Sequence, residues 1–191
     1  MTMLLDFPQI YRKYDLNISG IIHIGAHYGT EVSDYINHGV QDIILFEPLS
    51  KNFETLAENC RDANANIQAH NVALGSKEGT ATMYLSDNDA QSSSILKPKD
   101  HIEEMPWIHF KGTEKVEVKT LDSFNITGYN FINIDVQGYE MEVFKGGMDT
   151  LKNIDYIYSE VNKGELYEGC AQIDELDNFL GEYGFERVET Y

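Results

Sequence analysis

The hydrophobic positions of this chain fall into short apolar runs separated by longer stretches in which apolar residues recur at helical spacing. The apolar runs predict buried strands, at about 20–25, 42–47, 67–74, 131–136 and 156–161. The stretches between them predict helices, at about 30–38, from 50 to 60, from 141 to 151 with a possible break at Gly146-Gly147, and from 173 to 183. Strands that alternate with helices in this way indicate an α/β fold with a mostly parallel sheet.

Three regions depart from this alternation. Residues 1–18 carry apolar side chains at helical spacing and predict a helical lead-in. Residues 78–120 contain two segments in which apolar and polar positions alternate, 80–85 and 116–118, and we expect them to form an inserted hairpin or cap. Residues 185–191 are expected to be a final strand, whose unpaired edge would favour a homodimer. The whole chain, 1–191, is expected to form one domain.

Composition restricts the partners and the compartment. The net charge of −18 argues against a nucleic-acid surface, which needs clustered Lys and Arg, and against adhesion to anionic membranes. No apolar run approaches the ~20 residues that cross a bilayer, and no signal-peptide pattern opens the chain. Two cysteines are too few for a disulfide framework or a zinc cage. We therefore expect a cytoplasmic protein with no nucleic-acid partner and no membrane partner.

The first strand ends in a turn of small residues, and the second strand ends in an acid, Glu47. An open α/β sheet holds a ribose-bearing cofactor with this order of features: a strand, a glycine turn, a helix, a second strand and a carboxylate. The turn, from Gly25 to Gly29, lacks the third glycine of a dinucleotide fingerprint, which disfavours a pyrophosphate. This pattern favours a nucleoside-type cofactor, although Glu47 alone would also suit a cap for the next helix.

Two further strands of the predicted sheet end in acids. Asp135 ends the fourth strand, Glu160 ends the fifth, and Glu140 follows in the helix between them. The carboxyl ends of parallel strands face the ligand crevice, and an acid there is costly to bury unless it is used or paired. We expect these carboxylates to converge and to orient a substrate, deprotonate it or bind a hard cation. For Asp135, capping of the next helix is the alternative.

Taken together, these motifs resemble the FkbM family of S-adenosylmethionine-dependent methyltransferases. The resemblance covers about residues 20–185 and rests on a glycine motif at 22–29, a ribose motif at 46–48, a segment at 71–75, and a distinctive stretch made of 120–122, 134–140 and 145–146. It implies a class I methyltransferase fold, a Rossmann-like three-layer αβα sandwich. It also implies O-methylation of a hydroxyl on a sugar, glycan or related small molecule.

The resemblance assigns S-adenosyl-L-methionine contacts motif by motif. It implies that the methionine part is lined by Gly25, Ala26, His27 and Gly29. It implies that the ribose is held by Glu47 in the motif that includes Pro48, and that Val72 and Ala73 flank the adenine with Asn71 nearby. Asp135 would lie near the transferable methyl. The family often has an aspartate at the position of His23, so His23 is either a cofactor contact or a buried histidine with a satisfied ring.

A sugar hydroxyl is a poor nucleophile and profits from a general base. Asp135 is the first choice of base, Glu160 and His27 are alternatives, and a bound divalent cation is another route, for which the sequence offers no support. Acceptor contacts are expected from Ser93, Ser94, Trp107, Glu140 and Asn162. The alternative for the inserted region is a mobile polar loop and one core tryptophan.

Two other functions fit parts of the same pattern. An NAD(P)-dependent oxidoreductase shares the ribose carboxylate, but the chain lacks the third glycine and an obvious Tyr-x-x-x-Lys hydride site. A non-catalytic Rossmann-like binding domain would retain the fold alone.

Overall fold

The computed structural model describes residues 6–162 and 164–190 and contains two sheets. Its helices and strands follow in the order α1 (Phe7–Lys13), β1 (Ile21–Ile24), α2 (Val32–Asn37), β2 (Asp42–Phe46), α3 (Ser50–Cys60), β3 (Asn66–His70), β4 (Ala73–Leu74), β5 (Gly79–Ser86), α4 (His101–Glu104), β6 (Phe110–Lys119), a 3-10 helix (Leu121–Phe124), β7 (Phe131–Ile134), α5 (Glu140–Lys145), α6 (Met148–Leu151), β8 (Tyr156–Ser159) and α7 (Ile173–Gly181). The larger sheet has the order β3-β2-β1-β7-β8, and all its strand pairs are parallel.

The central sheet is buried on both faces, and its inner strands are mostly apolar. Every residue of β1 and β7 is buried, and Ile21 lies opposite Phe131 in the parallel register. One face packs against residues of α1, α2 and α3, including Tyr35 and Leu56. The other face packs against α5, α6 and α7, including Phe144. Helices therefore cover both faces, which confirms the expected αβα layers and explains the continuous apolar runs.

The strand order reverses between β1 and β7. From β1 the chain proceeds outward through β2 to β3, and it then returns to form β7 on the other side of β1. In open α/β sheets, ligands bind outside the carboxyl ends of the strands at such a switch point. The residues that follow β1, β2, β7 and β8 therefore meet at one edge, among them Gly25, Glu47, Asp135 and Glu160.

The hairpin expected within 78–120 is confirmed. β5 and β6 pair in antiparallel register from Gly79 opposite Val118 to Ser86 opposite Phe110, and the short β4 pairs with β6. Apolar side chains of this smaller sheet, such as Met83, pack with Leu49 at the start of α3. The insertion is therefore attached to the central sheet next to β2, where it stands beside the ligand edge.

The predicted strand over 67–74 is wrong as one element, because β3 and β4 belong to different sheets. Asn71 lies between them, and its side chain donates to the carbonyls of Glu47 and Pro48 at 2.9 and 3.0 Å. This contact satisfies backbone groups next to β2 while the chain turns out of the sheet. The helix predicted over 141–151 does break at its glycine pair, where α5 ends and α6 begins.

The predicted final strand is also wrong for residues 185–190, which form no strand. This segment is fixed by charged side chains, with Arg187 paired to Asp177 at 2.8 Å and Glu189 paired to Lys13 at 2.6 Å. Tyr191 and residues 1–5 of the predicted lead-in lie outside the described residues. Within the described part, no helix is both long and apolar enough to cross a membrane.

Candidate active site

A cavity of about 280 Å³ opens at the carboxyl ends of β1, β2 and β7. Its walls come from the turns after these strands, from the end of β8 and from the loop at 89–95. Among the predicted site residues, it is lined by His23, Gly25, Ala26, His27, Glu47, Pro48, Val72, Ala73, Ser93, Asp135 and Glu160. One cavity therefore brings together the predicted cofactor motifs and the predicted catalytic carboxylates.

The first turn is joined to the ends of both neighbouring strands. The main-chain N–H groups of Gly25 and Ala26 donate to the carbonyl of Phe46 at 2.9 and 3.0 Å. Gly25 has φ of +80°, and a Cβ there would lie 1.9 Å from the carbonyl oxygen of Asp135. Only glycine fits this contact, so the turn holds the ends of β1, β2 and β7 against one another.

Glu47 is a buried carboxylate in the cavity wall, only 4% exposed. Its two oxygens accept hydrogen bonds from the main-chain N–H groups of His27 and Leu49, both at 2.9 Å. Burial raises the pKa of Glu47 to about 7, although the hydrogen bonds from Leu49, His27 and Asn52 favour the ionised form. Glu47 therefore stabilises the turns that follow β1 and β2, and it also faces the cavity.

His23 belongs to a buried polar trio with Tyr35 and Asn133. The Asn133 amide donates to the Tyr35 hydroxyl at 2.8 Å and lies 3.2 Å from His23 Nε2, while His23 Nδ1 lies 3.3 Å from that hydroxyl. Burial lowers the pKa of His23, so the ring is neutral. Both ring nitrogens have protein partners, as the satisfied-histidine alternative expected.

His27 and Tyr28 connect the first turn to the loop that follows β5. His27 Nε2 lies 2.8 Å from the Asp89 carbonyl, and because a carbonyl only accepts, the ring donates through Nε2. The Tyr28 hydroxyl donates to the Asp89 carboxylate at 2.8 Å. Asp89 and Ala90 both line the cavity, so these contacts hold the loop at its mouth.

Asp135 and Glu160 form a carboxyl pair at the other end of the cavity. Gln137 links them, because its amide donates to Asp135 Oδ1 at 2.6 Å and to Glu160 Oε2. The Tyr167 hydroxyl lies 2.9 Å from both Gln137 Oε1 and the Ser92 carbonyl. Burial, together with the charge of Asp135, raises the pKa of Glu160 far above its usual range. At neutral pH the pair therefore carries one proton, which resides on Glu160.

Glu140 and Ser94 lie behind the cavity and support the turn after β7. Glu140 is 2% exposed, and its Oε1 accepts from the N–H groups of Val136 and Gly138 at 3.1 and 3.2 Å. Burial raises the pKa of Glu140 to about 7. The Ser94 hydroxyl donates to the Gln137 carbonyl at 2.7 Å. Glu140 thus does not converge with the carboxyl pair at the cavity surface.

The remaining predicted site residues also lie outside the cavity lining. Gly29 packs behind the turn, where a Cβ would meet Cys60 Sγ at 3.4 Å. Asn71 lies in the connection between β3 and β4, and its side chain donates to the Glu47 carbonyl. Trp107 is 68% exposed in the segment after α4, and Asn162 is buried in an isolated bridge with Gln172. Among the described residues, no three His, Cys, Asp or Glu side chains are arranged to hold a metal ion.

Several lining residues were missed from the sequence. Gln137 is the most connected of them, and Tyr139 and Tyr158 add aromatic walls. Gln137 stands two positions after Asp135 inside the stretch that resembles the FkbM family, which is the signal that pointed toward it. Nothing in the local pattern indicates its contact with Tyr167, which lies 30 residues further along the chain.

Residues 23–187 match the family model described as the methyltransferase FkbM domain. The chain belongs to this family. A solved FkbM methyltransferase from Methylobacillus flagellatus matches with a TM-score of 0.62, covering 91% of this chain and 40% of that one. Its sequence identity of 15% makes this a likeness of fold alone. The αβα layers around a parallel sheet are accordingly those of a class I methyltransferase.

Relatives of this FkbM domain include three methyltransferases. The 2-O-methyltransferase NoeI of Sinorhizobium fredii is 29% identical over 182 residues, covering 90% of this chain and 74% of that protein. The hexuronic acid methyltransferase AglP of Haloferax volcanii is 25% identical, with 74% of this chain and 55% of that protein covered. Methyltransferase 1 of Beauveria bassiana is 29% identical over 54% of this chain and 48% of its own length. The chain spans about half the length of the last two relatives. It is a methyltransferase, and the oxidoreductase alternative is not supported.

Proposed function

We propose that this methyltransferase uses S-adenosyl-L-methionine and methylates a hydroxyl of a sugar, a glycan or a related small molecule. The observation that carries the proposal is that one cavity contains a buried acid suited to a ribose, Glu47, and an acceptor-side pair of carboxyls, Asp135 and Glu160. Two relatives support this proposal, since one is named for methylation of an oxygen and the other for a hexuronic acid, which is a sugar acid.

The residues present fit S-adenosylmethionine. Gly25 and Ala26 line the cavity with no side chain and with a single methyl, so the main chain of this turn can approach a ligand closely. Glu47 has lone pairs left after its two main-chain contacts and can accept from ribose hydroxyls. Val72 and Ala73 offer apolar walls for an adenine. When bound, the cofactor supplies an electrophilic methyl on a sulfonium leaving group.

The carboxyl pair supplies the proton chemistry. Because Glu160 holds the proton, Asp135 is the ionised member and accepts the proton of the acceptor hydroxyl. A neutral Glu160 beside it can donate a hydrogen bond and so orient the acceptor. Close alignment of the acceptor oxygen is the other main contribution, since effective molarity can lower a barrier by up to ~7–11 kcal/mol. The negative charge of the site also favours a cationic cofactor.

The acceptor side of the cavity is lined by groups suited to a sugar. Tyr139 and Tyr158 present aromatic rings, while Ser93 lines the loop side with its hydroxyl bonded to Ser86 at 3.1 and 3.3 Å. Aromatic faces pack against the C–H faces of sugars, and hydroxyls exchange hydrogen bonds with them. Trp107, which was expected to contact the acceptor, lies outside this wall, so we assign stacking on the sugar to the two tyrosines.

A methyl-transfer assay tests the proposal. The protein is incubated with S-adenosylmethionine labelled in its methyl group and with fractionated glycans and small-molecule extracts, and products are identified by mass spectrometry. We expect label on a hydroxyl oxygen of a sugar-bearing product, absent from a control with heat-denatured protein. Label confined to nitrogen, carbon or a compound without hydroxyls would contradict the proposed acceptor class, and no transfer to any fraction would contradict the proposal itself.

A further inference from the structure

Gln137 joins four segments of the chain at the acceptor end of the cavity. Its amide nitrogen donates to Asp135 after β7 and to Glu160 after β8. Its amide oxygen accepts from Tyr167 in the segment between β8 and α7, at 2.9 Å. Its main-chain carbonyl accepts from Ser94 in the loop after β5, at 2.7 Å. No other residue described at this site bonds to both carboxyls.

The backbone of Gln137 is also in an unfavourable conformation. Its φ is +54°, in the left-handed region, which costs a residue with a Cβ roughly 1–2 kcal/mol. Such a conformation persists only where the surrounding contacts determine it, and it concentrates at functional sites. Glycine follows at position 138, so the chain places a long amide at a strained position.

Within residues 6–162 and 164–190, the two carboxyls also share a hydrogen bond with each other, and the other titratable groups around them bring no positive charge. The titratable groups that act on Asp135 or Glu160 are His23 from β1, Tyr158 from β8, Glu140 at the start of α5 and Tyr167. His23 is neutral, Glu140 is a third acid, and the tyrosines are uncharged, so none of these supplies a positive charge. Among the described residues, Gln137 is the one whose side chain donates a hydrogen bond to both carboxyls.

We propose that Gln137 is a positioning residue for methyl transfer, whose amide holds the Asp135 and Glu160 carboxyls side by side at the acceptor end of the cavity, and that Tyr167 fixes the orientation of that amide. The inference rests on the proposed function, because it concerns the carboxylate that accepts the acceptor's proton. Hydrogen bonds to an ionised carboxylate favour the charged form, whereas a neutral amide adds no charge that would repel a cationic cofactor.

Tyr167 gives the amide its direction. If the amide were rotated, its oxygen would face two carboxyl groups that share one proton, and both N–H donors would be lost to the pair. Burial raises the pKa of Tyr167, so its hydroxyl stays protonated, and its one proton is shared between Gln137 Oε1 and the Ser92 carbonyl, each 2.9 Å away. The Tyr167 ring is itself buried against His101, with ring centroids 5.5 Å apart, which keeps the hydroxyl in place.

Titration of the carboxyls by NMR tests this proposal without cofactor or acceptor. The full chain is labelled with carbon-13 at the side-chain carboxyls of Asp and Glu, and Asp135→Asn and Glu160→Gln identify the two resonances. In Gln137→Met, which keeps the length and loses the amide, we expect the lower of the two titration midpoints of the carboxyl pair to rise by about one pH unit. Gln41→Met, an exposed glutamine outside the cavity, is the control and should leave both midpoints unchanged.

Tyr167→Phe provides a second, milder variant that retains the ring. We expect the lower midpoint of the pair to rise in the same direction by a smaller amount, and the acid limb of the pH–kcat profile to follow that midpoint in both variants. Unchanged midpoints in both folded variants would overturn the proposal, and if Gln137→Met does not fold, an unchanged midpoint in Tyr167→Phe overturns it alone. A failure of the proposed function would appear in the transfer assay and not in this titration.

Discussion

The two ends of the cavity hold their carboxylates in different ways. Glu47, at the cofactor end, accepts from the main-chain N–H groups of His27 and Leu49, which lie in the turns directly after β1 and β2. Asp135 and Glu160, at the acceptor end, accept from the side chain of Gln137. Main-chain donors are fixed once the sheet has formed. Side-chain donors also need the segments that wrap around the sheet.

The sheet therefore positions the hydrogen-bond donors at the cofactor end, whereas the segments around the sheet are needed to position the donor at the acceptor end. At the cofactor end, an isolated acid has its pKa raised by burial, and ribose hydroxyls would favour its ionised form. At the acceptor end, two acids share one proton, so an ionised carboxylate exists before any ligand arrives. The cofactor end can therefore be common to many methyltransferases of this fold, while the acceptor end is specific to the chain that surrounds it.

The largest expected effect lies at the acceptor end. Asp135→Asn removes the ionised member of the pair, and we expect kcat to fall by about 10²–10⁴-fold while S-adenosylmethionine still binds. Glu160→Gln is the matched control, because it replaces a carboxyl that is already neutral, and it should cost about tenfold or less, the worth of one hydrogen bond. Single-turnover methyl transfer measures both. A larger loss in Glu160→Gln than in Asp135→Asn would reverse the assignment of the base.

A second test disrupts the close contact between Gly25, after β1, and the Asp135 carbonyl, after β7. Gly25→Ala would place a Cβ 1.9 Å from the Asp135 carbonyl, so the ends of β1 and β7 must separate. We expect the free energy of unfolding to fall by more than about 3 kcal/mol, the sum of the left-handed strain and the clash. Gly39→Ala, with φ of +88° and no atom within 4 Å, carries the strain alone and should cost about 1–2 kcal/mol. Equal losses in urea unfolding would contradict the close contact.

Buried acids at both ends predict how stability depends on pH. Glu47 and Glu140, each with a pKa of about 7, and Glu160, with a pKa raised further, keep protons that the unfolded chain has already released. The free energy of unfolding should therefore fall as pH rises from 6.5 to 8, by about 3 kcal/mol in total. This window lies above the range in which buried His23, with its lowered pKa, acts in the opposite direction. Equal or greater stability at pH 8 in urea titrations would contradict this electrostatic account.

The smallest expected effect is at the cofactor end. Glu47→Gln keeps the shape and loses the carboxylate, and we expect the Kd for S-adenosylmethionine to rise about 10–100-fold, the worth of hydrogen bonds to a charged group. Glu54→Gln makes the same change on the exposed side of α3 and should leave the Kd unchanged. An unaltered Kd in Glu47→Gln would mean that the ribose is held elsewhere.

The cofactor end could largely be predicted from the sequence, because its geometry follows from the order of the elements. Gly25 and Glu47 each end an apolar run, and parallel strands bring such ends to one edge. The conformation of the first turn also follows locally, since glycine supplies the positive φ. The family resemblance then gave these positions their expected roles.

The acceptor end could not be predicted in the same way. The part played by Gln137 depends on a left-handed backbone at a residue with a Cβ and on Tyr167, which is distant in sequence. Trp107 lies in an irregular segment without hydrophobic periodicity, so nothing in the pattern indicated that it would be exposed. The predicted strand at 185–190 failed because charged pairs such as Arg187 with Asp177 hold that segment without a ladder of main-chain hydrogen bonds.

The most direct test of the central claim, that this cavity binds S-adenosylmethionine, is isothermal titration calorimetry of the wild-type protein. We predict a saturable heat for S-adenosylmethionine with one site per chain, and no saturable heat for NAD under the same conditions. A wild-type protein that gives no saturable heat with S-adenosylmethionine would contradict the account.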